Sequence, residues 1–424
     1  MGLDLKEVTP EAKAFGKAIF DRVAAWESAA GRRRRARRAD AQATFELAAR
    51  RLAAGLVENA RKDPMRWGYY VQSAGSFSGE AISYRAVTAA KDAFLGLGLI
   101  EQLNGYSLPS FSGRQIGRAA RVRAISNFLM LAAEYGVHPE DAQFHYLRRL
   151  PARPLVLKSS SKVDKFGRKI GGRALRFERS GRALKLEKDI KELNRFLNRS
   201  NLENGVHRGY RRIFNMGDHE NFDWNKGGRL YGQGEDNYQR LKSADRQKMK
   251  IDGEPVVEID IRASYLTILH SWSGVPLQDG EDPYDVEGIP RPIVKTFITM
   301  TLGHDKFHRR WPKELKEKLI AAGFDLVKEF KLKSVHERVL EAQPLLREWP
   351  QGTISWADLM FAESEAVVNC MLRLMREYSA PSLSVHDSII VKRSDAALAS
   401  RVLSEEYEKS CGVRPTLKAS AAIL

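Results

Sequence analysis

Apolar and polar residues change their rhythm several times along the chain. Residues 10–62 are rich in Ala and poor in helix breakers, which predicts helix; the run GRRRRARR, with Arg32, Arg33, Arg34, Arg35, Arg37 and Arg38 crowded together, interrupts it. Tyr84, Val87, Phe94 and Leu97 then recur at helical spacing and Gly98 ends the run. The pattern next predicts a strand from Leu99 to Leu103 that turns at Asn104-Gly105 and returns. The stretch RQIGRAARVRAISNFLMLAAEYGV starts basic and finishes as an apolar helix, giving helix within 122–150. Between Pro151 and Gly181 no period is sustained, and two prolines, a Ser triplet and many cations predict a basic linker or long loop. Leu186, Ile190, Leu193 and Leu197 share one face of an amphipathic helix expected within 183–204.

From about Tyr210 strands and helices mix. PVVEIDIRASYLTIL reads as a buried strand from Val256 to Asp260 that runs into a helix. Residues 290–304 and 354–378 read as helices. SLSVHDSIIVKR reads as a hairpin: Ser384-Val385 and Ile389-Ile390-Val391 flank His386-Asp387-Ser388 at its tip. The order strand–helix, helix, helix, hairpin is that of an α+β fold.

Charge adds a partner to this picture. Lys and Arg number 70 against 53 Asp and Glu, a net charge of +17 over 424 residues, which points to a polyanion and first of all to nucleic acid. The arginine run is then either a solvated face or a phosphate contact. Cys370 and Cys411 are too few for a disulfide scaffold or a zinc site and suit a reducing compartment. MGLDLKEVTP lacks the layout of a signal peptide, Lys6 stands where a myristoylation signal needs Ser or Thr, and no apolar run nears the roughly 20 residues that cross a bilayer. The expectation is a cytoplasmic protein, in a bacterial cytoplasm or nucleoid, with no membrane partner. The length predicts two or three folding units.

Asp260 at a strand end and Asp387 at a hairpin tip would each alone be a cap or a turn former. Arg291 and Lys295, four apart on one helix face, change that reading, because two cations so placed can hold a triphosphate. Two carboxylates brought together can bind two Mg²⁺ ions about 3.5–4 Å apart for a phosphoryl transfer. Gly227-Gly228 reads as a turn admitting close backbone approach, and Arg229 as a phosphate partner.

EIDIRASYLTIL, RPIVKTFITMTLG and LSVHDSIIV, in that order, resemble motifs A, B and C of the family A DNA polymerases and the phage-type single-subunit RNA polymerases, over residues 206–424. FDWNKGGRLYG is similar to the element of that superfamily that precedes motif A and contacts the template–product duplex. The resemblance implies a right-hand palm with helical fingers and thumb-like helices. It implies two Mg²⁺ (or Mn²⁺) ions on Asp260 and Asp387, nucleotide contacts from Arg291, Lys295 and Tyr265, nucleic-acid contacts from Gly228 and Arg229, and His386 at the primer end. Nucleic acid template and primer and nucleoside triphosphates are the implied partners. Gly303-His304 stand where motif B of family A has Tyr-Gly, and Ser388 stands where family A usually has a second acid and the RNA polymerases have Ser. Tyr265, five residues after Asp260, stands where family A usually has Glu and the RNA polymerases Gly, and it is similar to the bulky sugar-excluding residue of other replicative polymerases, which implies a preference for deoxynucleotides.

Helix–Gly–strand–Asn-Gly–strand over 63–121 resembles a winged helix. The expected division is a basic helical arm at 1–62 whose Arg32, Arg33, Arg34 and Arg35 contact nucleic acid, a winged-helix DNA-binding module at 63–121, thumb-like helices and a basic linker at 122–205, and palm and fingers at 206–424. The expected function is template-directed DNA synthesis, in replication or repair of a mobile element. An RNA polymerase or primase is the first alternative, and a non-catalytic DNA-binding replication protein with a polymerase-like palm is the second.

Overall fold

The computed structural model describes residues 2–421 apart from 33–34, 62, 71–76, 78–80, 110–114, 164–168, 235, 276, 278–281, 305 and 350–351. The fold is mixed α+β, in two compact units. One unit comprises Met1–Val156 with Arg208–Tyr210 and Gly232–Asp236, the other Leu157–His207, Arg211–Tyr231 and Asn237–Leu424.

In the first unit, helix Pro10–Ala29 starts with Pro at its first position and with the Thr9 hydroxyl accepting from the Ala12 amide at 3.2 Å. It buries Phe15, Ile19 and Val23 against Phe45, Leu52 and Leu56 of helix Ala39–Ala60. The long helix expected over 10–62 is therefore two helices, and the arginine run lies in the connection between them. Arg37 explains part of the break: it forms an ion pair with Glu27 and its guanidinium lies 3.6 Å from the Phe45 ring centre. Arg33 and Arg34 lie outside the described residues.

Helix Tyr84–Gly96 is capped by Ser83, whose hydroxyl accepts from the Ala86 amide. The expected turn at Asn104-Gly105 is corrected. Ile100–Leu103 pairs with Arg121–Ala124, and Tyr106–Pro109 pairs with Gln115–Arg118, so the chain passes Asn104-Gly105 and returns only beyond residue 109. Gly105 serves close approach instead, since a Cβ there would lie 2.7 Å from the Ala120 nitrogen. Gly68–Tyr69 completes a three-stranded antiparallel sheet on the other side of Arg121–Ala124. Segment 122–150, expected as thumb-like helix, instead finishes the strand Arg121–Ala124 and carries the short helices Ser126–Glu134 and Ala142–His145 and the strand Tyr146–Arg148, which pairs with Leu5–Glu7. Phe128, Leu131 and Tyr146 join the core of this unit. The 122–205 segment is thus divided between the two units.

In the second unit, the stretch expected as a linker carries the paired strands Leu155–Lys158 and Ala174–Leu175, and the amphipathic helix is Gly181–Leu197 with Ile190, Leu193 and Leu197 buried. The main sheet is centred on Glu254–Ile261. That strand pairs along one edge with Ser388–Lys392, along the other with Leu417–Ala421, and at its start with Lys250–Ile251, all antiparallel. Val257, Ile259 and Ile261 are buried and alternate with Glu258 and Asp260, so both acids share one face. Helix Trp356–Tyr378 begins with a capping box: the Asp358 carboxylate accepts from the Ser355 amide at 2.9 Å and from the Ser355 hydroxyl at 2.6 Å. The hairpin of Ser382–Val385 and Ser388–Lys392 closes through the two residues His386 and Asp387, with His386 at φ 54°, the left-handed placement such a short turn requires.

Candidate active site

Asp260 has Ser388 opposite it on one neighbouring strand and Lys418 on the other. The Ile261 amide donates to the Asp387 carbonyl at 3.2 Å, which holds the hairpin tip beside the end of the central strand. The Tyr238 hydroxyl and the Gln239 amide both donate to the Ser384 carbonyl, at 2.6 and 2.9 Å, and fasten the hairpin from behind. Burial, and then the neighbouring Asp387 carboxylate, push the Asp260 carboxyl up to about 6, with Lys295 pulling the other way. Ala263, three residues on, stands at φ 50° as the helix Ser264–Trp272 begins. Left-handed residues therefore flank both acids.

The two carboxylates open into a cavity of about 610 Å³, whose walls also carry Arg229, Tyr265, Arg291 and Lys295. Six of the residues singled out in the sequence thus meet in one place, although their positions run from 229 to 387. Gly228 and His386 are not part of the walls. Gly228 is buried, its carbonyl taken by Arg212 Nε at 2.8 Å, and a Cβ there would come within 3.1 Å of Ser364 Oγ. Its glycine serves the contact with helix Trp356–Tyr378. His386 is exposed on the hairpin tip.

Arg229 has a partner that the sequence did not disclose. Its Nε donates to Glu363 Oε1 at 3.2 Å, and Glu363, 134 residues away on helix Trp356–Tyr378, is only 1% exposed. Burial opposes the Arg229 charge, yet Glu363 and then Tyr265 hold the guanidinium above its ordinary range. Full burial pushes the Glu363 carboxyl up, and Arg229 and the Ser264 hydroxyl draw it back. The Arg229 guanidinium sits 5.5 Å from the Tyr265 ring centre, so a buried acid, a cation and an aromatic ring stack into one wall. Burial, and then Glu363, push the Tyr265 phenol up.

Tyr284 was also missed. It precedes helix Arg291–Leu302, and its ring centre lies 5.1 Å from the Arg291 guanidinium and 5.9 Å from Lys295 Nζ. Burial pushes its phenol up to about 12. Arg291 itself forms an ion pair with Asp282, whereas the Lys295 charge lowers the Asp260 carboxyl across the cavity. Ser388 serves the scaffold: its hydroxyl donates to Glu258 Oε1 at 2.9 Å, and Arg246 grips that carboxylate at 2.8 and 3.1 Å. A signal for Glu363 was present, as an acid set among the apolar residues of a helix, but its partner was not legible from spacing.

Two acids with opposing cations across a cavity can hold a divalent cation and a polyphosphate together. Among the described residues no group of three or more His, Cys, Asp or Glu gathers as a metal cluster, and no helix is long and apolar enough to cross a membrane. No family model matches the chain, and no curated protein matches it. Among solved structures, the POL domain of Pol1 from M. smegmatis, in complex with DNA primer-template and dNTP, is similar to 90% of this chain over 68% of its own, with 11% identity and a TM-score of 0.34.

Proposed function

We propose that this chain is a template-directed DNA polymerase that joins a nucleotide to a primer 3′-hydroxyl, with Asp260 and Asp387 as the holders of two Mg²⁺ or Mn²⁺ ions. One observation carries the reading: two carboxylates, close enough that one raises the other's affinity for protons, stand at the mouth of a cavity that also bears Lys295 and Arg291. Mg²⁺ fits such a donor set, since it takes few carboxylates and completes its shell with substrate phosphates and water. Bound there, the ions would supply charge stabilisation to the attacking and departing oxygens.

The chain's own residues do the rest. Lys295 and Arg291 bind the triphosphate, and Arg291 must first leave Asp282. Tyr265, backed by Arg229 and Glu363, lies under the sugar and leaves no room for a 2′-hydroxyl. Tyr284 orients the two cations from below. Arg229 lies on the product side, His386 faces the primer end, and Arg32 to Arg35 add nucleic-acid affinity from the basic front. Residues 63–121 serve as a winged-helix module, the helix Gly181–Leu197 as a thumb-like element, and 206–424 as palm and fingers. Nucleic acid and nucleoside triphosphates are the partners.

Primer extension with purified protein tests this directly. Extension with dNTPs and Mg²⁺ or Mn²⁺ is expected. A preference for NTPs would move the protein to RNA synthesis, and no addition with either set would leave a DNA-binding scaffold.

A further inference from the structure

We infer that the solvent face of the three-stranded sheet in the first unit is a stacking platform for single-stranded nucleic acid. This inference goes beyond the polymerase reading and does not depend on it. The strand register sets the face. Tyr69 pairs with Arg121, which pairs on its other side with Leu103; Arg123 pairs with Glu101. Ile100, Val122 and Ala124 are buried, and Gln102 accepts from Lys91 Nζ on the covering helix at 2.8 Å, so these residues point inward. Alternation then turns Glu101, Leu103, Arg121, Arg123 and Tyr69 outward.

The outward surface is aromatic and cationic. Tyr69 is 48% exposed and Leu103 41%. The Arg123 guanidinium lies 4.7 Å over the Trp67 ring and is fixed there by Glu101, whose carboxylate accepts from Arg123 Nε at 2.8 Å. Arg121, between Tyr69 and Leu103, has a buried Nε with no hydrogen-bond partner among the described residues. Arg66 and Arg118 are exposed nearby in the chain, Arg118 opposite the half-exposed Tyr106. Arg121 and Arg123 on this face against Glu101, with Arg66 close by in the chain, favour a polyanion over a protein surface. Flat rings flanked by guanidinium groups suit unpaired bases, because every base offers a π-face and a duplex keeps its faces covered.

The neighbouring helix Tyr84–Gly96 is poorly equipped for reading a duplex. Of its two cations, Lys91 is buried and taken by Gln102 and Asp92, which leaves Arg85. Of the two elements, the sheet and not the helix therefore carries the base contacts.

Fluorescence anisotropy on the full-length chain, with no nucleotide and no divalent metal, tests the platform. The probes are a labelled oligo-dT strand, the same length of abasic strand, and a duplex of that length. Wild type should bind oligo-dT more tightly than the abasic strand. Tyr69→Ala should raise the Kd for oligo-dT by about 5- to 150-fold, the range of one base stack, while Tyr69→Phe binds like wild type and the duplex Kd does not move. Arg121→Ala should lower the salt slope by roughly 0.7 for each phosphate contact removed. Equal wild-type affinity for oligo-dT and abasic strands would overturn the inference without any variant. So would a Tyr69→Ala protein that binds oligo-dT normally, or self-association of wild type that Tyr69→Ala abolishes, which would make a second copy the occupant. A negative result here leaves primer extension untouched, and a failure of primer extension leaves this binding untouched.

Discussion

Asp260 is costly to keep ionised where it stands. Its carboxyl rises to about 6 in the folded chain, against about 3.9 in an unfolded one. The folded state therefore binds more protons between those values, so the contribution of Asp260 to stability is fullest below about pH 4, declines as pH rises through about 6, and stays lost above it. Without divalent metal at pH 7.5, Asp260→Asn should stabilise the chain by roughly 1–2 kcal/mol in urea unfolding, since the half-buried carboxylate is partly screened by water, a gain that vanishes near pH 4. The same variant, and Asp387→Asn, should abolish primer extension while duplex binding persists. A wild-type rate in either would remove these residues from the site. Tyr265 offers a second residue-scale test. Tyr265→Gly should strongly raise kcat/KM for NTPs with little loss for dNTPs. A ring that merely packs would instead cost about 3–5 kcal/mol and depress both substrates alike.

Helix Trp356–Tyr378 does more than cover the central sheet. It delivers Glu363 to Arg229 and Ser364 to the Gly227 carbonyl, at 2.7 Å, and so sets the wall on which Tyr265 rests. Glu363→Ala leaves the Arg229 charge buried without its partner and should cost about 3–5 kcal/mol in denaturant unfolding. Little change would mean that Arg229 turns to solvent when released. Helix Arg291–Leu302 carries its two cations one turn apart, yet in unlike states, Arg291 tied to Asp282 and Lys295 resting over the Tyr284 ring. Lys295→Ala should raise the apparent nucleotide KM and also slow nucleotide addition, because charge grows on the phosphate oxygens in the transition state. An unchanged rate with unchanged KM would make the helix structural.

Across the whole molecule, a net charge of +17 is spread over two units with different tasks for their arginines. Arg37 is spent inside the first unit on Glu27 and Phe45. Replacing Arg32 to Arg35 with Ala, and sparing Arg37, should flatten the dependence of log K on log salt by about 0.9 per duplex phosphate released. A slope equal to that of wild type would place the run away from the nucleic acid.

The sequence places Asp260 and Asp387 at a strand end and a hairpin tip, as the fold has them. A period of two through Val257, Ile259 and Ile261, a change to helix at Ser264, and a polar pair between two β-branched runs were enough to find Asp260 and Asp387 and the elements that hold them. The sequence by itself determined which residues are turned inward and in what order strand, helix and hairpin follow, because periodicity is a local property of the backbone. Only the tertiary structure decided what each inward face meets. Ile100–Leu103 chose Arg121–Ala124 over its near neighbour past Asn104-Gly105, residues 122–150 joined the first unit, Glu363 found Arg229, and Tyr284 came to lie under Lys295. Those pairings lie beyond the reach of any local periodicity, from 11 residues for Tyr284 and Lys295 to 134 for Arg229 and Glu363, and a buried charge is stabilised by whichever partner the fold brings to it.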